Sequence, residues 1–315
     1  MAKMIFLGTP APAAVALRVI AAHPEIEIVG IVTQPDRPGQ RGKVLQAPPV
    51  KQVAQALGLT PILQPESTRD PSFLEQLVAL APQLGVIAAY GEILRKAVLE
   101  SMPAGYLNIH PSLLPMYRGP TPVPAAILNG DAETGVTVMQ LSRKMDAGPI
   151  LAQQSLVLGP DARSGPLLDQ LFEMGAQLLL AHLDAYLAGR LMPQPQDESQ
   201  ASYTTLLSRE HGRIDWSHTA AFIERMIRAY DPWPGTFTLW REQSLRILLA
   251  RPHPAEAANT ATLAPGALFQ RSNQVFVATG HGLLELLSIQ PSGKRPMPAI
   301  DWWRGIHATN TEGLY

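Results

Sequence analysis

Cysteine is absent from this chain of 315 residues. Its absence excludes disulfides, thiol nucleophiles and Cys-ligated zinc, while leaving the compartment open. No run of about 18 apolar residues occurs, so no membrane span is expected. The N-terminal stretch Met1-Ala2-Lys3-Met4-Ile5-Phe6-Leu7-Gly8 has an apolar run too short for a signal peptide, and acidic residues follow soon after; the expected location is cytoplasmic. Charge is sparse. Only 16% of residues are charged and the net charge is −1, so the whole chain lacks the electrostatic footprint of a nucleic-acid-binding protein. The halves differ slightly: residues 1–208 carry 14 Lys+Arg against 17 Asp+Glu, and residues 209–315 carry 11 against 9. The small positive excess in the second part permits a polyanionic partner without demanding one. Also missing is a Gly-X-Gly-X-X-Gly turn after the first strand, where Gly8-Thr9-Pro10-Ala11-Pro12 stands instead; the dinucleotide fingerprint is therefore excluded.

What is present is ample core material. The chain is 46% hydrophobic and long enough for two domains of ordinary size. Thirty prolines gather in loops and mark where regular structure stops. Residues 3–7 form a continuous apolar run, read as a buried strand. A helix over 13–22 and a strand over 27–33 follow, the opening of a parallel α/β sheet. The pattern repeats through helix 50–57, strand 61–63, helix 71–80, strand 84–90, helix 93–100 and strand 105–110. Strands at 134–141 and 150–157 and a long helix over 164–187 close this part. Residues 189–208 are polar and irregular, with the composition of an interdomain linker. Beyond them one helix (219–230) and five short strands in about sixty residues indicate a small barrel. The expected architecture is α/β: a doubly wound, Rossmann-like domain over 1–188, a linker over 189–208, and a smaller OB-like β-barrel domain over 209–315.

Two stretches carry the chemistry. Asn108 and His110 lie two apart on one strand, so their side chains share a face at its carboxyl end, where open α/β sheets bind ligands. An amide and an imidazole side by side suit attack on a carbonyl, one donating to a developing oxyanion and the other moving a proton. Asp146 follows a second apolar run, in the loop Ser142–Pro149. It is placed to orient or charge the histidine, or to take the proton itself. Spacing alone leaves a structural role open for all three. The second stretch is the loop Gln34–Pro49, with Arg37, Arg41 and Lys43 among glycines and prolines. Long loops inside compact domains are often functional, and these cations suit phosphate; a plain solvated loop is the equal alternative.

These motifs resemble the methionyl-tRNA formyltransferase family. The resemblance covers nearly the whole chain: Phe6-Leu7-Gly8-Thr9-Pro10, Thr33-Gln34-Pro35-Asp36-Arg37-Pro38, Ala89-Tyr90-Gly91, Asn108-Ile109-His110-Pro111-Ser112-Leu113-Leu114-Pro115 with Arg118-Gly119, and Asp146-Ala147-Gly148. The first-half motifs are shared with glycinamide ribonucleotide and sugar-amine formyltransferases. Arg213-Ile214-Asp215-Trp216, Pro232-Trp233-Pro234 and Gln290-Pro291-Ser292-Gly293-Lys294 resemble the second domain of the tRNA enzymes.

The resemblance implies formyl transfer from 10-formyltetrahydrofolate, as co-substrate, to the α-amine of methionyl-initiator tRNA, by a monomer that needs no metal. It implies Asn108 as oxyanion donor, a protonated His110, and Asp146 holding that charge. Folate is expected against Ala88, Ala89, Tyr90 and Gly91 and the turn Ser112, Leu113, Leu114, Pro115. Arg37, Arg41, Lys43 and Arg118 are expected to meet the tRNA acceptor stem. Met116 and Leu206 stand where many relatives carry Arg and Lys, which removes two positive charges from the expected tRNA surface. Transfer to an amino-sugar nucleotide is the alternative. For Trp216, Trp233, Trp302 and Trp303, packing is expected rather than base stacking.

Overall fold

The computed structural model describes residues 1–38, 44–254, 263–306 and 313–315. Chain contacts divide it into two compact units, one of residues 1–122, 133–157 and 166–204, the other of residues 123–132, 158–165 and 205–315.

The first unit opens with β1 (Ala2–Gly8), α1 (Ala11–Ala21) and β2 (Ile26–Val32). Two-residue strands β3 (Arg37–Pro38) and β4 (Leu45–Gln46) pair antiparallel inside the region expected to be loop throughout. Then come α2 (Pro49–Ala56), β5 (Ile62–Leu63), α3 (Pro71–Ala79), β6 (Leu84–Ala88), the single turn α4 (Lys96–Leu99) and β7 (Tyr106–His110). Strands β8 (Glu133–Gln140) and β9 (Ile150–Val157) and helix α6 (Ser164–Leu187) follow; between β7 and β8 in chain order, a helix that the sequence pattern does not announce, α5 (Pro122–Asn129), falls almost wholly in the second unit.

Strand order in the main sheet is β5-β2-β1-β6-β7-β8-β9. Pairing is parallel from β5 through β7 and antiparallel from β7 to β9. The central parallel strands β1, β6 and β7 are buried on both faces, which is why they read as apolar runs. Met4, Ile5, Phe6 and Leu7 have no exposure. Ile5, Leu7, Val32, Phe73, Leu77 and Ile87 form part of one core cluster under α3. The order reverses between β1 and β6, and ligands of open sheets bind in the crevice outside the carboxyl ends of strands at such a reversal. There Thr9 Oγ1 donates to the Tyr90 carbonyl at 2.7 Å, joining the two strand ends.

The second unit contains α7 (Ala220–Ala229), capped by Thr219, whose hydroxyl accepts the Phe222 N–H. Strands β10 (Thr236–Trp240), β11 (Gln243–His253), β12 (Leu268–Arg271), β13 (Gln274–Ala278) and β14 (Leu283–Pro291) form an antiparallel sheet ordered β10-β11-β14-β13-β12, with β15 (Met297–Pro298) added to β14. Pairing among the described residues follows this open path. Helix α8 (Ala299–Gly305) buries Trp302 and Trp303. Trp216 is buried too, its Nε1 donating to Thr238 Oγ1 at 3.0 Å, whereas Trp233 is exposed.

Candidate active site

Strand β7 delivers Asn108 and His110 to the carboxyl end of the sheet. Both are buried, and Asn108 retains 9% of its surface. Among the described residues the Asn108 carboxamide has no protein hydrogen-bond partner, so its N–H donors are free for a bound group. His110 is held firmly. Its Nε2 lies 3.0 Å from the Tyr117 carbonyl oxygen. A carbonyl only accepts, so Nε2 carries the hydrogen and Nδ1 is the atom that gains or loses a proton.

That Nδ1 faces Asp146 Oδ2 at 3.8 Å. Asp146 comes from the loop between β8 and β9 and sits at φ 47°, a left-handed conformation that a residue with a Cβ adopts at a cost of about 1 kcal/mol or more. It is locked there by the Gly119 N–H, which donates to Oδ2 at 2.7 Å. Two residues on, a Cβ at Gly148 would collide with the Gln140 carbonyl oxygen, so the loop closes this tightly only with glycine. Burial lowers the His110 pKa below its ordinary 6.5, outweighing the nearby Asp146 carboxylate and the Tyr117 carbonyl, which both raise it. This direction favours the neutral imidazole and runs against the protonated His110 expected from sequence: the desolvation of a buried ring exceeds the attraction of one carboxylate beyond hydrogen-bond distance.

The residues expected to meet folate fall in two groups beside this pair. Ala88 ends β6; Ala89 (φ 46°) and Gly91 (φ 90°) turn the chain sharply, and Tyr90 is buried between them. The turn Ser112–Pro115 is stapled from below by two side chains that sequence reading missed. His110, Thr137 and Gln153 stand opposite one another across β7, β8 and β9. Thr137 Oγ1 donates to the Ser112 carbonyl at 2.7 Å and accepts the Leu114 N–H at 3.1 Å. Gln153 Nε2 donates to the Leu114 carbonyl at 2.8 Å and to Thr137 Oγ1 at 2.9 Å. Leu113 lies over Gly135, where any Cβ would strike its side chain.

Arg37 is exposed and paired with Glu66 at 3.2 Å, while the base of its loop is anchored by Asp36, which accepts from Lys51 Nζ at 2.8 Å and Gln64 Nε2 at 2.7 Å. These bonds, Gln64 foremost and then Lys51, hold the Asp36 carboxyl below its usual range. Arg41 and Lys43 lie outside the described residues. Arg118, expected at the tRNA surface, is corrected. It is wholly buried, with its guanidinium bonded to Gln196 and Glu198 and to the Tyr203 hydroxyl. Donors so occupied are not available to a phosphate. Met116 and Leu206 are exposed, as a surface reading of those positions requires.

An amide without a protein partner among the described residues, a buried imidazole and a carboxylate at the carboxyl end of an α/β sheet suit group transfer at a carbonyl carbon. The chain belongs to the formyl transferase family, in its methionyl-tRNA formyltransferase branch: residues 2–183 match the formyl transferase domain and residues 206–307 the formyl transferase C-terminal domain. It is 54% identical over 312 residues to the methionyl-tRNA formyltransferase of Roseiflexus sp. (strain RS-1), covering 99% of this chain and 95% of that one. The corresponding protein of Chloroflexus aurantiacus (strain J-10-fl) is 53% identical over 310 residues, with 98% of each chain covered. Among solved structures, WlaRD, a sugar 3N-formyl transferase in the presence of dTDP and 5-N-formyl-THF, superposes with a TM-score of 0.63 at 16% identity, covering 94% of this chain and 99% of that chain. HypX from Aquifex aeolicus in complex with tetrahydrofolic acid gives 0.62 at 18% identity, over 95% of this chain and 46% of its own. These two likenesses are of fold.

Proposed function

We propose that the protein transfers the formyl group of 10-formyltetrahydrofolate to the α-amine of methionyl-initiator tRNA, as a cytoplasmic monomer serving translation initiation. The observation that carries this reading is the near-full-length identity with methionyl-tRNA formyltransferases through both domains, not the first alone. The site chemistry supports it. The amine of an amino acid esterified to tRNA is weakly basic and much of it is neutral near pH 7, so it attacks the formyl carbon without a strong base. Negative charge grows on the formyl oxygen, where the free Asn108 carboxamide donates. One such donor is typically worth about 3 kcal/mol in the transition state. His110 Nδ1 takes the proton from the attacking nitrogen, and Asp146 stabilises the imidazolium that results. The same proton then goes to the folate nitrogen as the carbon–nitrogen bond to folate breaks. His110 thus ends neutral, as it began.

Folate is assigned to the crevice formed by Ala88–Gly91 and Ser112–Pro115, where backbone amides and carbonyls read a flat heterocycle and Leu113 and Leu114 supply apolar contact. Arg37, Arg41 and Lys43 are assigned to the tRNA backbone. Residues 1–188 form the catalytic domain in this reading. The domain over 209–315, read as OB-like, completes tRNA recognition. The test is formyl transfer from 10-formyltetrahydrofolate to methionyl-initiator tRNA, to free methionine and to an amino-sugar nucleotide. Strong preference for the charged tRNA is expected. Transfer to the sugar amine alone would move the protein to the neighbouring activity and leave the basic loop without a role.

A further inference from the structure

Residues 184–205 fall between the two family matches, which end at 183 and resume at 206. In the structure part of this segment is a strap on the first unit. Gln194 exchanges backbone hydrogen bonds with Ile150 at 2.7 and 2.8 Å. Gln196 reaches inward: its Nε2 donates to the carbonyls of Asp146 (2.8 Å) and Gly148 (2.7 Å), while its Oε1 accepts from Arg118 Nε (3.1 Å) and Nη2 (2.8 Å). Glu198 accepts both Nη groups of Arg118, at 2.9 and 3.0 Å, and the Tyr203 hydroxyl lies 2.9 Å from Nη1. Backbone bonds complete the grip. The Arg118 N–H donates to the Ser202 carbonyl at 2.9 Å, the Thr204 N–H donates to the Arg118 carbonyl at 2.7 Å, and the Tyr117 N–H donates to Ser202 Oγ at 2.8 Å.

The residues on either side of Arg118 are those that fix the reacting pair. The Tyr117 carbonyl sets the His110 tautomer, and the Gly119 N–H holds the Asp146 carboxylate. Gln196 therefore ties the segment that orients His110 to the loop that carries Asp146. We propose that the strap, through Gln196 and the buried Arg118, positions Asp146 against His110, so that the catalytic geometry depends on a segment outside both family domains. The physical reason lies in Asp146. Its left-handed backbone is strained and relaxes unless something holds it, and Gln196 holds its carbonyl while Gly119 holds its side chain. A glutamine supplies both functions because one end accepts and the other donates. A shorter side chain does not span the gap, and a carboxylate cannot donate.

The inference rests on His110 and Asp146 acting in catalysis as proposed above, and the test separates the two. In the full-length protein, Gln196→Met keeps volume and removes both halves of the bridge, while Gln196→Glu keeps the link to Arg118 and removes only the donors to the Asp146 loop. For both, kcat of formyl transfer is expected to fall about tenfold or more, with the folate KM within about twofold, because misplacement of a reacting group acts on the transition state rather than on binding. In Gln196→Met the acidic limb of kcat/KM moves to lower pH, since an Asp146 that drifts from His110 no longer raises its pKa. A purely structural role lowers the active fraction and leaves that limb in place, which overturns the proposal. Gln196→Glu is the safeguard should Gln196→Met fold poorly. If it retains kcat within about threefold while His110→Ala is inactive, the strap proposal falls and the site reading stands. If His110→Ala is itself active, the site reading falls.

Discussion

Replacing Thr137 with valine removes one hydroxyl from a fully buried position and preserves shape. The hydroxyl makes three contacts: it donates to the Ser112 carbonyl and accepts from the Leu114 N–H and from Gln153 Nε2. In the variant the Leu114 N–H and the Ser112 carbonyl lose these partners, while Gln153 keeps its bond to the Leu114 carbonyl. A buried polar group left without a partner costs about 1–3 kcal/mol, so the two together place the destabilisation near 3 kcal/mol. For a domain of this size that lowers the unfolding midpoint by about 6–12 °C. The functional consequence follows from position: the Ser112–Pro115 turn, assigned to folate, loosens, and the folate KM rises about fivefold or more while the tRNA KM holds. Urea unfolding of the parent and Thr137→Val proteins, with KM for each substrate, checks this. A variant within about 0.5 kcal/mol of the parent, or one whose folate KM is unchanged, refutes the staple.

Asn108→Ala should lower kcat about 100- to 1,000-fold with little loss of stability, because the carboxamide has no partner to abandon; steady-state kinetics and thermal unfolding measure the two effects. The His110 pKa is lowered in the folded state, so its contribution to stability is present above the unfolded value of 6.5 and is lost as pH falls from there toward the folded pKa. Urea midpoints should therefore drop more steeply on acidification below pH 6.5 in the parent than in His110→Ala, and kcat/KM should fall at lower pH as Nδ1 becomes protonated. Arg37→Ala should leave stability within about 0.5 kcal/mol, since its ion pair with Glu66 is exposed, while weakening tRNA use and flattening its salt dependence by about one unit of slope. Equal loss of folate binding would reassign that loop. Gly148→Ala should push the Asp146 loop off the Gln140 carbonyl, lowering kcat and stability together, as read by kinetics and unfolding of the same preparation.

Sequence pattern carries the centre of the sheet well because β1, β6 and β7 are buried on both faces and stand out as apolar runs between glycine and proline turns. Helix α5 was hidden by its own start: Pro122 and Pro124 look like breakers, yet the first turn of a helix has no use for their missing N–H groups. The candidate site is legible in sequence where it is local. Asn108 and His110 share one strand face, and Asp146 follows in a glycine-closed loop. What escaped is non-local. Thr137 and Gln153 look like ordinary polar strand residues until β8 and β9 bring them under the 112–115 turn. Arg118 was read as a surface cation because its partners, Gln196, Glu198 and Tyr203, lie 78–85 residues away in a stretch whose composition is that of a linker. The downward pull on the His110 pKa is hidden from sequence for a related reason: the neighbouring carboxylate is readable from the motif, whereas the depth of burial exists only in the fold.

The most direct test of the central claim is the single-turnover rate of formyl transfer by His110→Ala, with 10-formyltetrahydrofolate and methionyl-initiator tRNA both saturating. If Nδ1 carries the proton between the two nitrogens, the rate falls about 100-fold or more while folate binding stays within about threefold of the parent. A rate within a few-fold of the parent would contradict the account and return the imidazole to a structural role.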